Sequence, residues 1–193
     1  MGGNDDVIFP TEYLSREHFE KKRGLKAWCF WLVGNSGSGK STIARVVEKK
    51  LTEYNYWIKA LDGDNMRDTL NSDLDFSVES RNENVRRSAE IAKMFLDHGT
   101  STMCCFISPS TKSRKIAKEI MGDRFRLVYI KASHEEVIKR DVKGLYKDNS
   151  DNMKESLKLF EEPSDPDLII DTTNKKVEYS ANIMFNYIIN QPL

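Results

Sequence analysis

Gly34-Asn35-Ser36-Gly37-Ser38-Gly39-Lys40-Ser41 satisfies G-x-x-x-x-G-K-[ST], and residues of these types at this spacing are suited to holding a polyphosphate. Glycines let the backbone turn its N–H groups inward around phosphate oxygens. Lys40 brings charge to the outer phosphates, and the Ser41 hydroxyl is a ligand for Mg²⁺. The competing reading, a glycine-rich turn that binds nothing, would arise from composition alone in roughly one chain in a hundred. A guanine-reading N-K-x-D string is the mark of a switch GTPase. The nearest match, Asn174-Lys175-Lys176-Val177, lacks its carboxylate, so ATP is the expected nucleotide.

Two further groups of residues suit phosphoryl transfer. Leu61-Asp62-Gly63-Asp64-Asn65-Met66-Arg67 sets two carboxylates on a tight turn. Asp62 is placed to hold Mg²⁺ through water and Asp64 to accept the proton of an attacking hydroxyl, with helix capping as the alternative for either. Between Phe76 and Arg87 the chain gathers an aromatic, two amides and three arginines. A base can stack on Phe76, the Arg81 fork can pair with a phosphate or sulfate oxygen, and Asn84 can read a base or ribose. Any one of these arginines is equally well a solvated helix face; the cluster is what points to a ligand.

Positioning such groups requires a scaffold with its loops on one edge. Ala27 to Val33 is bulky enough to be buried on both faces, as a central parallel strand is. Further strands are expected at Tyr56–Leu61, Thr100–Ile107, Phe125–Ile130 and Leu168–Ile170. Helices are expected at Ser15–Lys22, Lys40–Tyr54, in the stretch Ser77–His98, and at Thr111–Met121, Ser133–Arg140 and Val177–Ile189, with a short helix at Asn65–Leu70. Val85, Ala89, Ala92 and Phe95 give the long helix one apolar side, Gly99 ends it and Ser133 caps another. Strands alternating with helices imply a parallel sheet covered on both faces. Ligands then bind at the carboxyl ends of the strands.

The 193 residues are 39% hydrophobic with 30 basic and 30 acidic side chains, enough for one core and too balanced for a general nucleic-acid or anionic-membrane binder. The expected partner is a small-molecule nucleotide, with no nucleic acid and no membrane. No apolar run reaches the roughly 18 to 20 residues of a bilayer span, and the charged start is no signal sequence. Met1-Gly2 invites myristoylation, but Asp6 stands where that pattern needs Ser or Thr. A cytoplasmic location is expected. Cys29, Cys104 and Cys105 lie in apolar stretches and read as small hydrophobes.

The chain resembles the adenylyl-sulfate kinase (APS kinase) family from about Ser15 onward. The resemblance rests on Gly34 to Ser41 followed by Thr42, on Leu61 to Arg67, on Phe76 to Arg87, on Phe106-Ile107-Ser108-Pro109, and on Arg140-Asp141-Val142-Lys143-Gly144-Leu145-Tyr146-Lys147. It implies an α/β fold of the nucleoside-monophosphate-kinase type of P-loop domain, a five-stranded parallel sheet flanked by helices with a mobile lid. Residues 1–26 would form an approach segment and 27–193 the kinase domain, with the lid at about 144–165. The implied activity is ATP-dependent phosphorylation of the 3′-hydroxyl of adenosine 5′-phosphosulfate. ATP would be held by Gly34, Ser36, Gly37, Ser38, Gly39, Lys40, Ser41, Thr42 and Arg140, and Mg²⁺ by Ser41 and Asp62. Asp64, Asn65, Arg67, Phe76, Arg81, Asn84, Ile107, Ser108 and Lys143 would line the acceptor pocket, with Lys40, Asp64 and Ser108 as the catalytic set. Ser108 corresponds to a serine assigned in the family as a phosphoserine intermediate; direct in-line transfer needs no such relay, and a hydrogen bond to the acceptor is its expected role. Many members are dimers, so a homodimer belongs to the expectation.

The chain departs from the family on the acceptor side. Residues 148–163 are acidic and carry no Phe-Thr-Gly, the segment whose phenylalanine covers the acceptor's adenine, and Ser110 replaces the aromatic after Ile-Ser-Pro. Phe160 is the residue available to replace the lost stack. Two alternatives stay open: a related kinase acting on another nucleotide-linked molecule, such as a cytidine diphosphate derivative, and a catalytically weak ATP-binding regulatory module.

Overall fold

The computed structural model describes residues 13–140 and 158–192. Its elements are α1 (Arg16–Arg23), β1 (Cys29–Val33), α2 (Lys40–Glu53), β2 (Ile58–Asp62), α3 (Gly63–Asp68), α4 (Val78–Asp97), β3 (Ser101–Cys105), α5 (Thr111–Met121), β4 (Phe125–Lys131), α6 (His134–Arg140), β5 (Leu168–Asp171) and α7 (Val177–Ile189). The five strands form one parallel sheet in the order β2-β3-β1-β4-β5.

The sequence of β1 explains its central place. All five of its residues are buried, so neither face can meet water. Phe30 and Leu32 pack with Ile43, Val47 and Leu51 of α2 and with Met184 and Ile188 of α7. Cys29, Trp31 and Val33 face the opposite side, against Val85, Ala89, Ala92 and Leu96 of α4 and Ala117 and Met121 of α5. Burying each large side chain contributes about 1.5–3 kcal/mol, and truncating Trp31 to alanine would cost about 3–5 kcal/mol. The three cysteines are free and buried within these layers, as small hydrophobes.

Several strand ends lie one or two residues from expectation, β2 for instance starting at Ile58 rather than Tyr56, and two of these shifts have local reasons. The first strand starts at Cys29 rather than Ala27, because the Trp28 N–H is taken by Ser101 Oγ at 3.0 Å. The third strand stops at Cys105, shortly before Ser108 turns left-handed at φ 41°.

The chain before Ala27 is tied to the sheet. Ser15 caps α1 and Gly24 ends it at φ 68°. The buried Glu20 carboxylate accepts from Ala27 N at 2.8 Å and from Arg124 at 2.9 and 3.2 Å. Arg23 donates to His98 O and Gly99 O at 2.8 and 2.6 Å. These anchors sit where β1 and β3 begin, so α1 docks at the amino edge of the sheet. The phosphate loop leaves the opposite edge, where loops after β1, β2 and β3 border the crevice that the strand order creates. Among the described residues, no helix is long and apolar enough to cross a membrane.

Candidate active site

The phosphate loop is shaped by contacts that only glycine permits. A Cβ on Gly34, at φ 147°, would lie 2.2 Å from the Ile130 carbonyl oxygen. Gly39, at φ 103°, precedes α2 without a side-chain cap. Lys40, Ser41 and Thr42 form the first turn of that helix, the part of any helix whose N–H groups are suited to an anion. Lys40 Nζ donates to the carbonyls of Gly34 and Asn35 at 2.7 and 2.9 Å, closing the loop into a ring. Ser36 and Gly37 are half-buried in the loop, and Ser38 is fully buried, its N–H turned onto Asn35 O at 3.1 Å.

The second acidic loop meets the first directly. Ser41 Oγ donates to Asp62 Oδ2, while Asp62 Oδ1 accepts from Asp64 N at 3.0 Å and caps α3. Asp62 thus takes the capping role that the sequence set against metal binding, with its other oxygen turned to Ser41. Its carboxylate and the Ser41 hydroxyl form a pair of hard oxygen donors, the type a Mg²⁺ ion takes alongside phosphate oxygens and water. No cluster of three His, Cys, Asp or Glu suited to a metal exists among the described residues; a phosphate-bound Mg²⁺ needs none. Asp64 and Asn65 are exposed on the first turn of α3.

The acceptor-side candidates gather beyond α3. Arg67 donates to Leu74 O at 3.2 Å and Asp75 O at 2.8 Å, and its guanidinium lies 4.5 Å from the Phe76 ring centroid. Arg81 packs 5.5 Å from the same ring and donates through Nε to Phe76 O at 2.8 Å. Burial, and then the neighbouring Arg81 charge, pull the Arg67 guanidinium below its ordinary pKa. Two cations beside one aromatic favour an anionic, flat ligand. Phe76 remains 43% exposed, so part of its ring is open.

Ile107 is half-buried and Ser108 only 3% exposed. Ser108 Oγ accepts from Trp31 Nε1 at 2.9 Å, and its carbonyl accepts from Arg114 at 3.0 Å. Trp31 in turn stacks on Phe106, centroids 5.0 Å apart. Glu161, just after the undescribed segment, accepts from Thr111 N at 2.7 Å and Thr111 Oγ1 at 2.5 Å, while its own N–H donates to Pro109 O at 2.8 Å. Phe160 lies 6.0 Å from the Tyr129 ring and packs on the core, so its side chain is engaged there. Lys143 and most of the expected lid lie outside the described residues.

Arg140 braces the phosphate loop from behind. It donates to Gly37 O at 3.2 Å, Thr172 Oγ1 at 3.0 Å and Thr172 O at 2.7 Å, and is held by Glu136 at 3.0 Å. Thr172 was not singled out from sequence, yet it donates to Ser38 O at 2.9 Å. Its place immediately after β5, at the ligand-binding edge, is the signal that points to it.

A parallel sheet with a glycine-rich phosphate loop after its central strand and a carboxylate pair on the neighbouring loop defines a P-loop kinase fold. The adenylylsulphate kinase family model matches residues 26–171. The chain belongs to that family. It is 41% identical over 192 residues to an adenylyl-sulfate kinase of Phocaeicola vulgatus, covering 96% of this chain and 94% of that one. It is 40% identical to a probable adenylyl-sulfate kinase of Halalkalibacterium halodurans, covering 94% and 93%. Among solved structures, the APS kinase CysC of Mycobacterium tuberculosis in complex with AMPPNP and APS superposes with a TM-score of 0.76 at 31% identity, over 86% of this chain and 99% of that one.

Proposed function

We propose that this chain transfers the γ-phosphoryl group of ATP to the 3′-hydroxyl of adenosine 5′-phosphosulfate, giving 3′-phosphoadenylyl sulfate and ADP. Family membership and relatives named for this activity, one of them solved with AMPPNP and APS, support the reading. The structural observation that supports it is the Ser41–Asp62 hydrogen bond, which joins the end of the phosphate loop to the turn that carries Asp64. Gly34 to Thr42 would hold the triphosphate, and Arg140 would keep the loop in shape. Ser41 and Asp62 would hold Mg²⁺, which when bound neutralises phosphate charge. Asp64 accepts the proton of the 3′-hydroxyl as that oxygen attacks phosphorus and the bond to the ADP oxygen breaks. Asn65, Arg67, Phe76, Arg81, Asn84, Ile107, Ser108 and Lys143 would hold the acceptor.

The comparisons favour neither the cytidine-linked acceptor nor the regulatory module. The test is coupled ADP release from purified protein with ATP, Mg²⁺ and adenosine 5′-phosphosulfate. Turnover with the phosphosulfate is expected; turnover only with a cytidine nucleotide, or ATP binding without transfer, refutes the reading.

A further inference from the structure

Asn71 belongs to none of the sequence motifs, yet it is 0% exposed in the turn between α3 and α4. Its backbone is committed locally: its N–H donates to Met66 O at 2.8 Å and its carbonyl accepts from Leu74 N at 3.1 Å. Its side-chain Nδ2 donates to Asn84 Oδ1 at 2.9 Å, with Ser88 Oγ at 3.5 Å. Asn71 Oδ1, by contrast, is buried without a hydrogen-bond partner among the described residues. A buried carbonyl oxygen left so is costly. Leucine, nearly the same shape, would fill the space without that cost, so packing alone does not account for an amide here.

What the amide does is fix its neighbour. Asn84 is 6% exposed and stands one helical turn after Arg81, on the same side of α4. An asparagine can present either end of its amide, and the two ends ask opposite things of a ligand. With Asn84 Oδ1 committed to Asn71, the atom left for a ligand is Nδ2, a donor.

We infer that Asn71 is a positioning residue that locks the Asn84 amide, so that the acceptor nucleotide is met by an N–H donor. The pocket thereby selects a ligand atom carrying a lone pair, a ring nitrogen or a ribose, phosphate or sulfate oxygen, over an amino group. The inference rests on the placement of Asn84 in the acceptor pocket, proposed above.

The experiment is steady-state kinetics of the full chain with ATP and adenosine 5′-phosphosulfate, on N71L, N71D, N84A and N71L/N84A, each checked by thermal melting. N84A and N71L are each expected to raise the phosphosulfate KM about tenfold, the loss of one oriented hydrogen bond, with the ATP KM within about twofold. The double variant should be no worse than N84A alone, because the effect of Asn71 passes through Asn84. N71D keeps the shape and, measured at a pH where the carboxyl is ionised, offers only acceptors. Asn84 must then turn its Nδ2 inward, and the KM rises at least as much as in N71L; should N71L fail to fold, N71D decides. Multiplicative effects of N71L and N84A, or wild-type KM in N71D, overturn the inference. An unchanged KM in N84A overturns instead the placement of Asn84 on which it rests.

Discussion

Replacing Ser108 by alanine separates a hydroxyl that carries phosphate from one that is part of the scaffold. In the fold its Oγ is buried and accepts from Trp31 Nε1 at 2.9 Å. Alanine leaves that indole N–H as a buried donor with no acceptor, which costs about 1–3 kcal/mol. Alanine also keeps the left-handed backbone, φ 41°, so no strain is relieved. Glycine loses the same hydrogen bond but relieves the steric cost of that conformation, about 1–2 kcal/mol, less the extra freedom it gives the unfolded chain. Ser108→Gly should therefore be more stable than Ser108→Ala by up to about 1 kcal/mol. Both should fold, since a domain of this kind has about 5–15 kcal/mol of stability. Urea unfolding read by tryptophan fluorescence gives the stabilities, and coupled ADP release the turnover. Both variants are expected to keep kcat within about tenfold of the parent if, as proposed, the transfer goes directly from ATP to the acceptor. Complete loss of turnover in both with native unfolding curves, or acid-stable label from γ-labelled ATP on the parent and not on the variants, would refute the reasoning.

Asp64→Asn removes the proposed proton acceptor but not the phosphate loop, so kcat should fall by about 10²–10⁴ while ATP affinity stays within severalfold; an unchanged kcat removes Asp64 from its role. Arg140→Lys keeps the charge but not the fork that joins Gly37 O to Thr172, and should raise the ATP KM more than the phosphosulfate KM; equal rises would show general loosening instead. Burial pushes the Cys105 thiol up to about 12 and Cys104 well above its ordinary value. At pH 8 iodoacetamide should therefore leave the native enzyme active and these thiols unmodified while alkylating the urea-unfolded chain; rapid native loss would contradict their burial. The sign of the linked effect follows: between about pH 9 and 12 the Cys105 thiol ionises in the unfolded chain but not in the folded one, so stability falls as pH rises.

The parts legible in the sequence were those fixed by local chemistry. β1 was readable because five consecutive apolar residues admit no solvent face, and the phosphate loop because glycine, lysine and serine have separate tasks at set positions. The contacts that assemble the site were not, because they join residues far apart in the chain: Trp31 with Ser108, Arg140 with Thr172, and Glu20 with Arg124. Asn71 escaped for another reason. It stands in a turn where asparagine is common for backbone reasons, and only its burial and its partner mark it out.

These long-range contacts bear on the acceptor pocket. The chain lacks the Phe-Thr-Gly aromatic, and Phe160 is packed on Tyr129 and the core, leaving Phe76 as the stacking surface on the described side. A lost stack weakens base binding by about 1–3 kcal/mol. The Arg67 and Arg81 guanidiniums lie 4.5 and 5.5 Å from the Phe76 ring centroid, which sets two cations beside it. On the proposed reading the acceptor is therefore gripped through its charged groups and by an oriented amide more than by an aromatic sandwich. Its binding should weaken with salt, since exposed charge pairs are screened within about 10 Å at 0.1 M. An acceptor KM insensitive to ionic strength between 20 and roughly 300 mM salt would show that stacking, not charge, still dominates the pocket.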